Sequence, residues 1–288
     1  MNVLVTGCYG QLGGALRHLA DNDQSHQWTF TDIDTLDITD TGEVDRCFAV
    51  NDIGVCVNCA AYTAVDKAED EPEQAKLVNT IAPGILAEAC LRHNALLIQI
   101  STDYVFDGLA SRPYPVDAPM NPQSVYGRTK ADGEQLIREA GCNHIILRTA
   151  WLYSSTGKNF VRTMLALGDT HDEISVVNDQ KGSPTWAHDL AQAVVKLIDH
   201  YGLKPVHETF HFTNEGAVTW FDFARTIMEI GGRNCEVHPI TTDQYPTKAK
   251  RPAYSVLDLS KFKEVTGMEI PSWRDSLVKC IEEIIIKN

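Results

Sequence analysis

The chain has 288 residues, 43% hydrophobic and 22% charged, enough length and apolar content for one large domain or two modest ones with a real core. A formal net charge of −14 argues against a nucleic-acid partner, because phosphate backbones attract basic surfaces; it does not exclude a small anion held by backbone amides and a few cations. No apolar run reaches membrane-spanning length, and MNVLVTG enters a strand pattern at once with no basic leader, so the expectation is a cytoplasmic protein without a membrane partner.

In chain order, NVLVT (2–6), QWTFT (27–31), VCVNC (55–59), ALLIQI (95–100) and HIILRT (144–149) read as strands. Helical patterns near 10–21, 41–51, 71–93 and 123–140 separate them, with Pro72 suited to a first helical turn and Gly141 to a C-cap. Apolar strands alternating with helices imply a parallel sheet covered on both faces, a Rossmann-type doubly wound α/β fold. Past residue 150 the pattern loosens. ISVV (174–177) and TFHFT (209–213) read as strands, and 186–201, 219–231 and 272–287 as helices. The polar, proline-punctuated loop 241–253 has the character of a substrate contact. The expected division is an NAD(P)-binding domain over 1–150 plus roughly 186–215, with a smaller, irregular C-terminal substrate-binding lobe from 151–185 and 216–288.

Two motifs are decoys. Cys56 and Cys59 form C-x-x-C, but on a strand that sends the thiols to opposite faces, so buried reduced thiols fit better than a zinc or redox site. His207-Glu-Thr-Phe-His211 spells H-E-x-x-H, which binds zinc only on a helix; its β-branched and aromatic context reads as a strand, with the histidines ~13 Å apart. No metal site is expected.

TGCYGQLGGAL joins the first strand to the first helix, with Gly7, Gly10 and Gly13 evenly spaced. Such a loop makes a tight turn, lets backbone approach a pyrophosphate and leaves the anion at a positive helix end. Asp32 closes the second strand, where a carboxylate accepts hydrogen bonds from the adenosine ribose hydroxyls. No arginine follows until Arg46 to meet a 2′-phosphate, so the residues lean toward NADH over NADPH; Asp37 and Ile38 suit an adenine flank and an ordinary loop equally well.

SVYGRTK (124–130) puts Tyr126 and Lys130 one helical turn apart on one face. A free tyrosine ionises near pH ~10, and a lysine cation about a turn away favours the phenolate, so Lys130 is expected to lower the Tyr126 pKa. Thr102 sits at the carboxyl end of a strand, where doubly wound sheets bind ligands, and its hydroxyl can bond the same substrate oxygen.

TGxxGxxG, then STDYVFDG, then YGxxK, in this order, resemble the extended short-chain dehydrogenase/reductases. AAYTAVDKAE (60–69), RTAWLYSSTGKNFVRTML (148–165), VVNDQKGSPT (176–185) and Arg251-Pro252 extend the likeness over nearly the whole chain, toward the dTDP-4-dehydrorhamnose reductase family. The resemblance implies reduction of a nucleotide-sugar 4-keto group by NADPH or NADH, with Thr102, Tyr126 and Lys130 as the catalytic triad. For the cofactor it implies Gly10, Gln11, Leu12, Asp32, Asp37, Ile38, Ala61, Tyr62 and Thr63. For the sugar nucleotide it implies Thr63, Val65, Thr102, Asp103, Trp151 and Asn159, with Gln180 and Arg251 as further candidates. Members that dimerise around magnesium use glutamates where this chain has Gly14-Ala15 and Ala187-His188, so a monomer or a metal-independent homodimer is expected. An epimerase that retains its NAD, or a non-enzymatic regulatory subunit of the methionine adenosyltransferase type, are the competing readings.

Overall fold

The computed structural model describes residues 1–287. β1 (Asn2–Thr6) is buried except at its first residue and leads through the glycine loop into α1 (Gln11–Ala20). β2 (Gln27–Phe30), α2 (Thr41–Asn51) and β3 (Val55–Asn58) follow, α2 beginning where the Asp40 carboxylate accepts the Glu43 amide. Next come α3 (Val65–Ala68), α4 (Pro72–Lys76), a π turn (Leu77–Ile81) and α5 (Ala82–Arg92). β4 (Leu96–Thr102), α6 (Val125–Ala140) and β5 (His144–Thr149) complete the first half.

The predicted single helix over 71–93 is therefore two α segments joined by a π turn. Pro83 accounts for the break: it has no N–H to offer the Asn79 carbonyl, and the Ala82 amide instead reaches back to the Leu77 carbonyl. The Asn79 side chain then serves the site. It accepts the Tyr62 amide at 2.9 Å and donates to the Tyr62 carbonyl and to the Thr129 hydroxyl on α6.

The second half carries β6 (Leu152–Tyr153), α7 (Phe160–Gly168), β7 (Glu173–Val177), β8 (Lys181–Gly182), β9 (Thr185–Trp186) and α8 (Ala187–Tyr201). β10 (His207–His211), β11 (Val218–Thr219), α9 (Trp220–Gly231), β12 (Glu236–Ile240), α10 (Ser260–Thr266) and α11 (Trp273–Lys287) end it. The pattern reading omitted α7, α10 and β12. β12 contains Pro239 and exposed charge, which conceal a strand that pairs only with β7, away from the main sheet.

The main sheet has six parallel strands in the order β10-β5-β4-β3-β1-β2. α1 and α8 cover one face, packing Leu12, Leu16, Leu190, Val194 and Leu197 on Val3, Val5, Val55 and Val57. α2 and α5 cover the other, packing Val44, Phe48 and Leu86 on Leu4, Cys56 and Leu97. Each such side chain taken from water contributes ~1.5–3 kcal/mol, which is why the central strands read as continuous apolar runs. A separate core joins α7, α9 and α11 through Val161, Leu165, Phe223, Ile227 and Leu277.

Neither motif lies on a helix, and Cys59, just past the end of β3, is half-buried rather than fully buried. Cys56 lies in the core beneath α2 and α5, Cys59 packs toward the opposite face, and the eight cysteines are free thiols. His207–His211 is strand β10, and His211 sits buried against Arg148, which with burial pushes its pKa down to about 3.

Candidate active site

Strand order reverses between β1 and β3, so their carboxyl ends open a crevice. Two glycines shape it. Gly7 has φ +67°, and a Cβ there would stand 2.6 Å from the Ala60 amide nitrogen; a Cβ on Gly13 would stand 2.4 Å from the Gly7 carbonyl oxygen. Gly10 is the N-cap of α1, with no side-chain cap and no acidic residue in the first turn, so the positive helix end faces the crevice unneutralised. These features fit a dinucleotide pyrophosphate.

The resulting cleft has a volume of about 840 Å³. It collects Gly7, Gly10, Gln11, Leu12 and Gly13 of the loop with Asp32, Asp37 and Ile38 from the end of β2. Ala61, Thr63 and Val65 line it from the segment after β3, and Thr102, Asp103, Tyr126 and Lys130 from β4 and α6. Trp151 and Asn159 close the far wall. Three expected residues lie elsewhere. The Tyr62 hydroxyl donates to Glu71 at 2.7 Å, away from the cleft, which leaves only Tyr62 backbone between its two lining neighbours. Gln180 and Arg251 line an adjoining cavity of about 1140 Å³, and Tyr104 borders both spaces.

The floor of the cleft is a buried polar row. The Thr6 hydroxyl donates to Asn58 at 2.6 Å, Asn58 to Gln99 at 2.8 Å, and Gln99 to the Ile100 carbonyl at 2.8 Å. Lys130 Nζ donates to that same carbonyl at 2.7 Å. Ser124 caps α6 by accepting the Gly127 amide, and a Cβ on Gly127 would stand 2.3 Å from the Tyr104 carbonyl oxygen. That close approach brings Tyr126 against Thr102 and Tyr104, the two tyrosine rings meeting edge-on at 5.4 Å.

Electrostatics correct one expectation. Burial pushes the Tyr126 phenol above its ordinary range, offset in part by the Thr102 hydroxyl, and Lys130 is not among the groups that shift it. Turned toward Ile100, the lysine is itself lowered by burial to about 8, with Glu134 opposing. The phenol is thus held protonated, as a proton donor requires. Asp103 is pushed up to about 6 by burial.

Several assigned side chains are already engaged. Asn159 caps α7 by accepting the Arg162 amide, and its amide group donates to the Ser154 and Thr156 carbonyls. Asp32 accepts the Tyr9 amide at 2.8 Å and the Ile33 amide at 2.9 Å. Gln180 donates to Thr242 at 3.0 Å, and Arg251 pairs with Asp66 at 2.6 Å and bonds the Tyr104 hydroxyl at 3.1 Å. Trp151 holds a left-handed backbone, φ 49°, costly for a bulky residue, and stacks on Trp220 with centroids 3.4 Å apart.

The sequence reading missed Tyr9, Tyr104, Lys158 and Trp220 as lining residues. Tyr104 lies inside the motif STDYVF (101–106), which could have revealed it. Trp220 could not: only its stacking on Trp151 brings it to the site. Arg17 on α1 lies just outside the lining, donating to the Cys8 thiol at 2.8 Å. Its guanidinium lies 5.5 Å from the Tyr9 ring and 5.3 Å from the Phe30 ring.

Comparison with known proteins agrees with this geometry. The family profile described as "RmlD substrate binding domain" matches residues 1–286. A dTDP-4-dehydrorhamnose reductase from Aggregatibacter actinomycetemcomitans is 40% identical, the alignment covering 96% of each chain. A "Probable dTDP-4,6-dihydroxy-2-methyloxan-3-one 4-ketoreductase" from Streptomyces antibioticus is 41% identical over 99% of this chain and 96% of that one. The crystal structure of dTDP-4-dehydrorhamnose reductase from Bacillus anthracis in complex with NADP superposes with a TM-score of 0.93 at 36% identity, covering 100% of this chain and 99% of that one. The chain therefore belongs to the RmlD substrate binding domain family, alongside the dTDP-4-dehydrorhamnose reductases.

Proposed function

We propose that this chain reduces the 4-keto group of dTDP-4-dehydro-L-rhamnose to dTDP-L-rhamnose at the expense of NAD(P)H. The observation that carries the reading is the meeting of Thr102, Tyr126 and Lys130 at one end of a cleft whose other end is an uncapped helix N-terminus. When bound, NAD(P)H supplies the hydride. The first-turn amides of Gln11 and Leu12 would hold the pyrophosphate and Asp32 the adenosine ribose, while the Gly10 amide closes the loop onto the Gly7 carbonyl at 3.1 Å. Tyr126, held protonated, keeps its proton for the substrate oxygen, and the two N–H bonds of Lys130 not used on Ile100 are free for ribose hydroxyls. A phenol kept protonated favours reduction over the initial oxidation with which an epimerase begins, and an intact triad argues against a purely regulatory subunit. The adjoining cavity, bordered by Gln180, Lys248 and Arg251, would take the nucleotide and its phosphates.

The test is oxidation of NAD(P)H in the presence of dTDP-4-dehydro-L-rhamnose, with identification of the product. Absence of turnover, or turnover only of the dideoxy keto sugar named for the Streptomyces relative, would overturn the substrate assignment; the similar identities of the two relatives make that sister reductase the second reading. On the cofactor side, Asp32 and Asp37 line the cleft whereas the Arg17 guanidinium is turned to the Cys8 thiol, so kcat/KM with NADH is expected to equal or exceed that with NADPH. A tenfold NADPH advantage would count against the carboxylates as the deciding charges.

The same reading divides the chain into a dinucleotide domain built on the six-stranded sheet and a substrate lobe built on the α7–α9–α11 core. At the family's magnesium positions Gly14, Ala15 and Ala187 offer no ligand and His188 offers one. Size-exclusion elution is therefore expected to be the same with and without EDTA, and metal-dependent dimerisation would contradict it.

A further inference from the structure

Asp103 has an arrangement that substrate contact alone does not explain. It follows Thr102 at the end of β4, is 3% exposed and lines the cleft beside Tyr126. Thr102 Oγ1 donates to Asp103 Oδ1 at 2.9 Å and accepts the Tyr104 amide at 3.2 Å. The other carboxylate oxygen, Oδ2, has no hydrogen-bond partner, and neither has the Ser255 hydroxyl, although that hydroxyl is close enough to pull the Asp103 pKa down. Among the described residues no lysine or arginine pairs with Asp103; Arg251 reaches only the Tyr104 hydroxyl and Asp66.

A threonine hydroxyl carries one hydrogen. With the Asp103 carboxylate 2.9 Å away and the Tyr126 phenol as its other neighbour, that hydrogen is drawn to an ionised Asp103 and away from the carbonyl oxygen that a ketoreductase must polarise. Building on the ketoreductase reading above, we propose that Asp103 sets the direction of the Thr102 hydroxyl, and that only its protonated form frees that hydroxyl to donate to the substrate carbonyl. When protonated, the carboxyl group donates to Thr102 Oγ1, and the threonine hydrogen turns toward the substrate. When ionised, it draws the hydrogen away. Asp103 is thus a positioning residue for Thr102.

The surrounding groups permit this. Burial pushes Asp103 up to about 6, with Ser255, Thr102 and the backbone amides of Asp103 and Tyr104 opposing. The phenols facing it, Tyr104 and Tyr126, are both raised by burial and stay neutral through that range. Lys130, lowered to about 8, is the next group of the site to change charge as pH rises.

The deciding measurement is the pH profile of kcat/KM for the native protein and for Asp103→Asn, whose amide donates to Thr102 at every pH. The native profile should fall as pH rises through about 6 and again near 8 as Lys130 deprotonates. In the variant the first fall disappears and the second remains, so the variant-to-native ratio climbs about eightfold between pH ~5.5 and ~7. A ratio that does not change with pH, the signature of a purely structural role, overturns the proposal. So does a native profile flat through that range. Infrared difference spectroscopy of the native protein adds an independent arm: a protonated-carboxyl band should disappear as pH rises through about 6, and its absence refutes the proposal even if the variant does not fold. Native protein inert toward keto sugars would instead defeat the ketoreductase reading, which the infrared arm does not depend on.

Discussion

Replacing Tyr126 by Phe is expected to lower kcat by roughly 10²–10⁴-fold while leaving NAD(P)H affinity nearly unchanged. The ring stays, so its edge-on contact with Tyr104 and the packing of α6 are retained. Only the hydroxyl is lost, and with it the proton that burial holds on the phenol. Stopped-flow turnover together with cofactor binding by fluorescence separates the two effects. A Phe variant working within tenfold of native would refute the role, whereas equal losses in turnover and cofactor affinity would point to a binding role instead.

The second large effect lies behind the site. Glu134 and Arg148 are buried, the carboxylate receiving Arg148 Nε at 2.9 Å and Nη2 at 2.7 Å, Ser101 at 2.6 Å and Arg138 at 2.9 Å. This bundle fastens α6, one turn beyond Lys130, to β4 immediately before Thr102 and to β5. Glu134→Ala leaves the Arg148 guanidinium buried without its counter-charge, at a cost of ~3–5 kcal/mol, and should lower Tm by on the order of 10 °C. Pairing it with Arg148→Leu should recover part of the loss, since the uncompensated charge causes the damage. An unchanged Tm in the single variant would show that the pair contributes nothing to the fold.

The same pair gives a sign for pH dependence. Burial alone would raise the Glu134 pKa, but the hydrogen bonds and charges of Arg148, with Ser101 and Arg138, outweigh it and hold it below the usual carboxylate range. A depressed folded pKa means the stabilisation is fully present above the unfolded value near ~4.3 and is lost as pH falls through the lower folded value. Urea midpoints measured downward from about pH 5 should therefore decline more steeply in the native protein than in the Glu134→Ala, Arg148→Leu double variant.

Legibility in the sequence followed the physics of each element. β1, β3 and β5 were readable because a strand buried on both faces admits little but apolar residues, and all the residues of β3 and β5 are buried. The loop glycines were readable because no side chain fits at Gly7 or Gly13. β12 was not, since its partner β7 is distant in the chain and its residues are mostly half-exposed or exposed. Nor was the π turn, because Pro83 reads equally well as the start of a new helix.

By itself, the sequence determined the Rossmann-type sheet, the glycine loop after β1 and the residue types of the candidate triad. These depend on local rules: side-chain periodicity, glycine sterics and one-turn spacing. The direction of the Lys130 ammonium, the protonation of Tyr126 and the stacking of Trp151 on Trp220 were decided only by the tertiary structure. Lys130 could have tuned Tyr126 in an isolated helix, where both share a face. In the folded protein the Ile100 carbonyl lies nearer, and burial outweighs a charge that points elsewhere.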